Sequence, residues 1–167
     1  MKIVFGLLTI GAMFAQESLL VKDAQGQWKQ ASVNLVKAAQ KMPADKYEYR
    51  ASPDVRTFGQ FVGHVADAGV LFCAAAIGDK KTPPNAEKTM KDKAALVKAL
   101  EDTVAYCDTV YNGIGEKALD SVKFFGQDRT KVGVLFFNNM HMYEHYGNIV
   151  TYMRANGFVP PTSEGKK

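Results

Sequence analysis

The chain of 167 residues contains three histidines, and two of them, His141 and His145, stand four residues apart. On a helix this spacing places both imidazoles on the same face, one turn apart. The third, His64, lies inside an apolar segment that also has helical spacing. Three histidines can hold a zinc ion and leave one position for water or substrate, and they also suit nickel, copper or iron. The pattern predicts one divalent metal site; the alternative is that the histidines are core or surface residues.

Several familiar catalytic sites are excluded by spacing. Between His141 and His145 the glutamate directly precedes the second histidine, whereas zincins place it directly after the first. The sequence also lacks the paired Glu-x-x-His ligands of di-iron bundles, a Cys-x-x-Cys-His haem motif and a glycine-rich phosphate loop. No separate general base stands out. No catalytic residue is therefore assigned, and the sequence leaves open whether the protein is an enzyme.

Four polar side chains flank the predicted ligands. Asp67 and Glu144 each lie three residues after a predicted ligand, where a carboxylate can accept the second ring N–H of a metal-bound histidine. Asn138 and Asn148 lie near the histidine face of the last predicted helix and are expected to contact bound solvent or substrate. A solvated helix position is the alternative for all four residues, and it is the favoured one for Glu144.

Four predicted helices must position these side chains. Their apolar residues recur at helical spacing over 17–42, 57–77, 89–112 and 130–156. The second helix opens with a capping box of Thr57 and Gln60 and ends at Gly78. The connector 79–88 contains two consecutive prolines and is predicted to be non-helical, while 114–128 is predicted to be a loop without strands. These elements predict an all-α four-helix bundle.

Composition and charge limit the classes of partner. The length fits one domain, and 47% hydrophobic and 23% charged residues are ordinary for a globular protein. The net charge is +4, with lysines scattered along the chain. Nucleic-acid binding proteins usually carry a clustered basic patch, so no nucleic-acid partner is expected.

The first fifteen residues differ from the rest. Lys2 precedes an apolar run, 3–14, and the small residue Ala15 follows it. This order is typical of a secretory signal peptide, and the run is shorter than the roughly 20 residues of a membrane span. Residues 1–15 are therefore predicted to be a signal peptide and 16–167 a single bundle domain, exported to the periplasm or secreted. The alternatives are a buried first turn of the first helix and a lipid-facing anchor.

Two segments resemble the DinB/YfiT-like superfamily. Residues 56–65, RTFGQFVGHV, are similar to the second helix of that family. Residues 141–161, HMYEHYGNIVTYMRANGFVPP, are similar to its last helix and the Gly…Pro-Pro exit that follows. Trp28 and the segment 47–50 also stand in the expected places.

The resemblance implies an up-down-down-up bundle that holds one divalent ion, zinc or nickel, through His64, His141 and His145. Together with the predicted signal peptide, it suggests an exported metal-dependent hydrolase or transferase acting on an unidentified small molecule. The alternatives are a non-catalytic metal-binding protein and a structural bundle with core histidines. Some relatives are thiol-dependent transferases or isomerases, but the predicted export does not fit the chemistry of cytosolic low-molecular-weight thiols.

The implied topology also affects the two cysteines. It makes the helices of Cys73 and Cys107 parallel and sets both residues at similar height, so a disulfide is expected; two buried thiols are the alternative. Aromatic residues on the first or last helix further suggest a two-fold homodimer.

Overall fold

The computed structural model describes residues 4–165, with side chains described from residue 19 onward. Five helices and one hairpin make up the fold. In chain order they are α1 Val4–Lys41, α2 Phe58–Ile77, α3 Ala86–Thr89, α4 Lys93–Gly113, β1 Ser121–Phe124, β2 Gln127–Thr130 and α5 Lys131–Ala155. The predicted all-α bundle is confirmed, since α1, α2, α4 and α5 are its four long helices.

The ends of α2 follow directly from local sequence. Thr57 Oγ1 accepts the backbone N–H of Gln60 at 3.1 Å, and Gln60 Oε1 accepts the backbone N–H of Thr57 at 2.9 Å. This reciprocal pair satisfies N–H groups that the helix itself cannot bond. At the other end Gly78 has a φ of +70°, a left-handed conformation that glycine adopts without steric cost. Both predicted ends of α2 are confirmed.

Helices α2 and α4 run parallel. Near their middles Thr103 Oγ1 donates to the carbonyl oxygen of Ala66 at 3.0 Å. Further along both helices Cys73 and Cys107 form a disulfide with their Cα atoms 5.6 Å apart. Both cysteines are fully buried. The expected disulfide is therefore present, and it joins two neighbouring parallel helices.

Helix α1 runs antiparallel to α4. Gln25 donates to the carbonyl oxygen of Tyr111 near the end of α4, whereas Gln40 donates to Glu101 nearer its start. Trp28 of α1 also stacks on the ring of Tyr111 with centroids 5.0 Å apart.

Helix α5 runs antiparallel to α2. The hydroxyl of Tyr152 donates to the carbonyl oxygen of Arg56 just before α2, and Asn138 Nδ2 lies 3.6 Å from Cys73 Sγ near the end of α2. With α1 antiparallel to α4, and α2 parallel to α4, these contacts give the up-down-down-up order that the resemblance implied.

The first helix begins earlier than the predicted residue 17. Its backbone is helical from Val4, so it includes most of the predicted signal segment 1–15, of which residues 1–3 lie outside the described part. A helical backbone agrees equally with a leader and with a first helical turn, and the signal peptide stays a prediction. Among the described side chains the first buried one is Val21.

The connector and loop predictions were wrong in two places. The connector 79–88 was predicted to be non-helical, but α3 begins within it, with Asn85 as the one residue between its prolines and the helix. Helix α4 then starts at Lys93, where Asp92 accepts the backbone N–H of Ala95, and not at residue 89 as predicted. Met90 adopts an extended conformation after α3, so α3 and α4 are two separate helices.

The loop 114–128 was predicted to lack strands, but all of β1 and the first two residues of β2 lie in it, and the two strands pair. The two strands meet at Phe125 and Gly126, which have φ values of +48° and +78°. Two consecutive residues with positive φ form the tight turn that suits a two-residue hairpin. The strands are only four residues long and mostly exposed, so they carry no alternating apolar pattern for sequence analysis to detect.

One described helix has the length and apolar composition of a membrane span. Among the described helices only α2 is long and apolar enough to cross a membrane, and 67% of its most apolar window is buried in the bundle. This agrees with the expected absence of an integral membrane span. Large apolar side chains are exposed on α1 and α5, including Leu19 and Met140. The homodimer stays a prediction.

Candidate metal centre

The structure brings the three predicted ligands together in the core-facing space between α2 and α5. The Nε2 atom of His141 lies 3.3 Å from that of His64 and 3.1 Å from that of His145. One ligand atom from each ring lies within 4.8 Å of the other two. His145 is buried, while His64 and His141 are partly exposed. The four-residue spacing on α5 does place His141 and His145 on one face.

The donor set fits a divalent metal ion. At a zinc–nitrogen distance of about 2.0–2.1 Å, two ligands of a tetrahedral ion lie about 3.3–3.4 Å apart. The two Nε2–Nε2 distances through His141 are close to this value. Three ring nitrogens that face one point cannot all bond one another, because each neutral imidazole has only one N–H. A cation at that point would be bound by all three lone pairs.

The electrostatics keep the rings of α5 neutral. Burial lowers the pKa of His141 to about 4, and the neighbouring His145, His64 and Arg56 contribute in the same direction. Burial also lowers the pKa of His145 to about 4. A histidine must be neutral to donate its lone pair to a metal. Both residues therefore meet that requirement at neutral pH.

The second ring nitrogen of His64 contacts a carboxylate that the sequence analysis missed. Glu87 Oε2 lies 2.8 Å from His64 Nδ1, and Glu87 Oε1 accepts from Arg56 Nε at 2.8 Å. Burial acts to raise the pKa of Glu87, but the hydrogen bonds from Arg56 and His64 outweigh it and lower the pKa. An ionised carboxylate in this position fixes Nδ1 as the protonated nitrogen and directs Nε2 to the metal position.

Asp67 does not bond His64, contrary to prediction. Its two carboxylate oxygens accept the backbone N–H groups of Ala86 and Glu87 at 2.7 and 3.0 Å. These N–H groups are the first of α3 and lack partners within that helix. Asp67 therefore fixes the start of α3, and α3 carries Glu87 to His64. Asp67 therefore acts on His64 indirectly, through α3 and Glu87.

A glycine next to His64 lets α3 approach α2. A Cβ atom built on Gly63 would lie 2.6 Å from the backbone nitrogen of Glu87 and 2.8 Å from the carbonyl carbon of Ala86. Neither backbone atom can move away without moving α3. The absence of a side chain at Gly63 is therefore a condition for the contact between Glu87 and His64.

The other flanking residues differ in their positions. Glu144 is exposed and makes no hydrogen bond to His141 among the described residues, which agrees with the solvated helix position that the sequence analysis favoured for it. Asn148 is exposed, with Nδ2 3.5 Å from His145 Nδ1. Asn138 is fully buried, with Nδ2 3.2 Å from the hydroxyl of Tyr111, so the solvated helix position, which was the alternative for it, does not apply.

The family model of the DinB superfamily matches residues 27–149. This match covers most of the chain and includes all three histidines. The chain belongs to the DinB superfamily. The resemblance seen in the sequence is thereby confirmed.

Solved structures of DinB-like proteins share the fold. A DinB-like protein from Bacillus cereus superposes with a TM-score of 0.74 at 14% identity, over 84% of this chain and 95% of the other. One from Bacillus subtilis gives 0.64 at 22% identity, over 82% and 93%. A mycothiol-dependent maleylpyruvate isomerase gives 0.62 at 15% identity, and the match covers 77% of this chain but only 60% of that enzyme. No curated protein sequence matches the chain.

In this DinB protein an aromatic cluster adjoins the histidines. The ring of Phe72 packs edge-on against His141 with centroids 5.2 Å apart, and it also contacts Phe124 and Phe137. These two phenylalanines line an open groove of about 780 Å³ between the hairpin and α5. Phe125 at the hairpin turn is 70% exposed beside it. The sequence analysis missed this groove because it missed the hairpin that forms one wall.

Proposed function

We propose that this DinB protein binds one divalent metal ion, zinc or nickel, through His64, His141 and His145. The observation that carries the proposal is the convergence of three imidazole nitrogens within 4.8 Å of one another, with the two Nε2–Nε2 distances through His141 suited to a tetrahedral ion. The neutral state of His141 and His145 and the carboxylate on His64 Nδ1 support it, because both are features of histidine ligands.

Metal analysis of protein purified without a histidine tag tests this proposal. After incubation with zinc, nickel or copper and removal of excess ion, we expect about one ion per chain. His145→Ala should lose the ion and keep its helical circular dichroism. Glu144→Ala is the matched control, since it changes the exposed neighbour and leaves the three rings unchanged. Wild-type protein that stays metal-free with all three ions would contradict the assignment.

We further propose that the bound ion serves a hydrolase or transferase reaction on a small molecule. A metal ion in such a site supplies Lewis acidity or activates water. The exposure of the His64 side chain, which is 22% accessible, supports access to the site from solvent. A non-catalytic metal-binding protein is the alternative.

Activity assays with metal-loaded protein distinguish these alternatives. Panels of ester, amide, phosphoester and thiol-transfer substrates should include one that is turned over by wild-type protein and not by His145→Ala. The metal-free wild type serves as the second control. A protein that binds metal stoichiometrically and turns over none of these classes would favour sequestration.

Export is proposed on separate grounds. The apolar leader over 1–15 has the order of a signal peptide, and the buried disulfide between Cys73 and Cys107 is typical of oxidising compartments. Full-length protein produced in a Gram-negative host should appear in the periplasm or medium with an N-terminus near Gln16. Leu8→Arg, which places a charge in the apolar run, should keep the protein in the cytoplasm. Uncleaved wild-type protein in the cytoplasm would contradict export.

A further inference from the structure

Two buried polar atoms on α5 have no hydrogen-bond partner within the described residues. They are Nδ1 of His141 and Oδ1 of Asn138, three residues before it. Leaving a buried polar atom without a partner is costly, so such atoms are rare in folded proteins and call for an explanation. Both atoms belong to side chains that stand one helical turn apart, where i and i+3 residues are neighbours.

The two atoms are chemically complementary. His141 directs Nε2 toward His64 and His145, so in the metal-binding state its single proton resides on Nδ1, which is then a hydrogen-bond donor. Asn138 Oδ1 is an acceptor. One turn of α5 therefore holds an unused donor and an unused acceptor in the same buried region.

The orientation of the Asn138 amide is fixed by Tyr111. The Tyr111 hydroxyl has one proton, and its nearest acceptors are Leu135 O at 2.9 Å and Asn139 Oδ1 at 2.7 Å. The hydroxyl can therefore only accept from Asn138, whose Nδ2 lies 3.2 Å away. A flipped amide would place an oxygen against a hydroxyl whose proton is already used. Oδ1 is thus the atom left to face away from Tyr111.

We infer that Asn138 is a positioning residue for His141 and that one buried water joins Asn138 Oδ1 to His141 Nδ1. Buried waters occur about once per 27 residues and bind otherwise unpartnered buried polar atoms. The water would hold the imidazole ring with Nε2 toward the metal position, as Glu87 does directly for His64. This inference rests on the proposed metal site.

The arrangement gives the three rings different partners. His64 has an ionised carboxylate at Nδ1, whereas His145 has the exposed amide of Asn148 at 3.5 Å. His141 would have a fully buried amide that also contacts Cys73 of the disulfide at 3.6 Å. Asn138 thus connects the ligand His141 to the rigid junction of α2 and α4.

Zinc affinity measured by competition with a chromophoric chelator tests the inference. Asn138→Leu keeps the side-chain size and removes the acceptor, and it should weaken zinc binding about 10–100-fold. Asn139→Leu is the matched control, because Asn139 is equally buried but bonds Ala24 and Tyr111. It should destabilise the protein and leave zinc affinity within about threefold of wild type. Asn138→Ser, which keeps an acceptor oxygen and makes room for water, should retain most of the affinity.

The outcomes separate the two proposals. Wild-type protein that binds no zinc overturns the metal site and, with it, this role of Asn138. Zinc-binding wild type with the same affinity in Asn138→Leu and Asn139→Leu overturns only the role of Asn138. NMR of the zinc-loaded wild type gives a measurement that does not depend on the folding of any variant. The His141 ring should carry a slowly exchanging proton on Nδ1, and an unprotonated Nδ1 would overturn the inference.

Discussion

Glu87 Oε2 lies 2.8 Å from Nδ1 of His64, although 23 residues separate the two in sequence. The carboxylate reaches the ring from α3, a helix of only four residues, and it is also held by Arg56. Because Glu87 touches the ring and not the metal position, it is expected to orient the ligand and to increase its basicity.

The first prediction concerns this contact. Glu87→Gln should weaken zinc binding about 10–100-fold, because a neutral amide no longer stabilises the orientation and charge distribution of the metal-bound His64 ring. Zinc affinity is measured by chelator competition, with circular dichroism as the test of folding. Glu101→Gln is the matched control, since Glu101 is a carboxylate on α4 whose one hydrogen-bond partner among the described side chains is Gln40 on the surface. Equal zinc affinity in the two variants would show that Glu87 does not support the site.

Asp67 should affect the site through α3. Asp67→Ala removes both acceptors from the start of α3, so Glu87 loses its fixed position and zinc affinity should fall, although Asp67 makes no hydrogen bond to a histidine among the described residues. In the double variant Asp67→Ala/Glu87→Gln the losses should not add, because both changes act through the same contact with His64. A double-mutant cycle of zinc affinities measures this coupling. Fully additive losses would mean that Asp67 acts on the site by another route.

The sequence predicted part of the site from local spacing. The spacing of His141 and His145 predicts that they share a face, and the cap residues Thr57 and Gly78 locate the ends of α2, which carries His64. The predictions that succeeded from spacing alone concern residues within one helix, whereas the disulfide and the order of the helices followed from the family resemblance. Relationships within one helix are fixed by helical geometry, so a sequence contains them directly.

The predictions about the site that failed concern contacts that depend on tertiary structure. Asp67 stands three residues after His64, and its spacing suggested a direct bond, but its carboxylate turns to the free N–H groups of α3. Nothing in the sequence near His64 indicates that Glu87 returns to it, because the contact depends on how the connector between α2 and α4 packs back onto α2. The short helix α3 likewise lacks the periodic apolar pattern that identifies longer helices.

Gly63 yields a prediction on stability. Gly63→Ala would place a methyl group 2.6 Å from the backbone nitrogen of Glu87, so α3 must shift, and we expect a loss of about 1–3 kcal/mol in the free energy of unfolding. Urea denaturation measures this loss.

Gly26→Ala is the control, because Gly26 lies on an exposed face of α1 with nothing within 4 Å of the added carbon. That variant should gain up to about 1 kcal/mol from improved helix propensity. A stable Gly63→Ala protein with normal zinc affinity would contradict the close approach of α3.

The disulfide gives the last prediction. Cys73 and Cys107 close a loop with a sequence separation of 34 and join the parallel helices α2 and α4. A cross-link of this kind stabilises a protein mainly by restricting its unfolded chain, typically by about 2–4 kcal/mol. The double variant Cys73→Ala/Cys107→Ala should therefore unfold at lower urea concentration.

Because both sulfur-bearing residues are fully buried, reductant should act on wild-type protein only when the protein unfolds. Added reductant should lower the unfolding midpoint of wild type and leave that of the double variant unchanged. If reductant shifts neither midpoint, the two cysteines are thiols in the folded protein, and the parallel packing of α2 and α4 must then be maintained by contacts such as Thr103 with Ala66 alone.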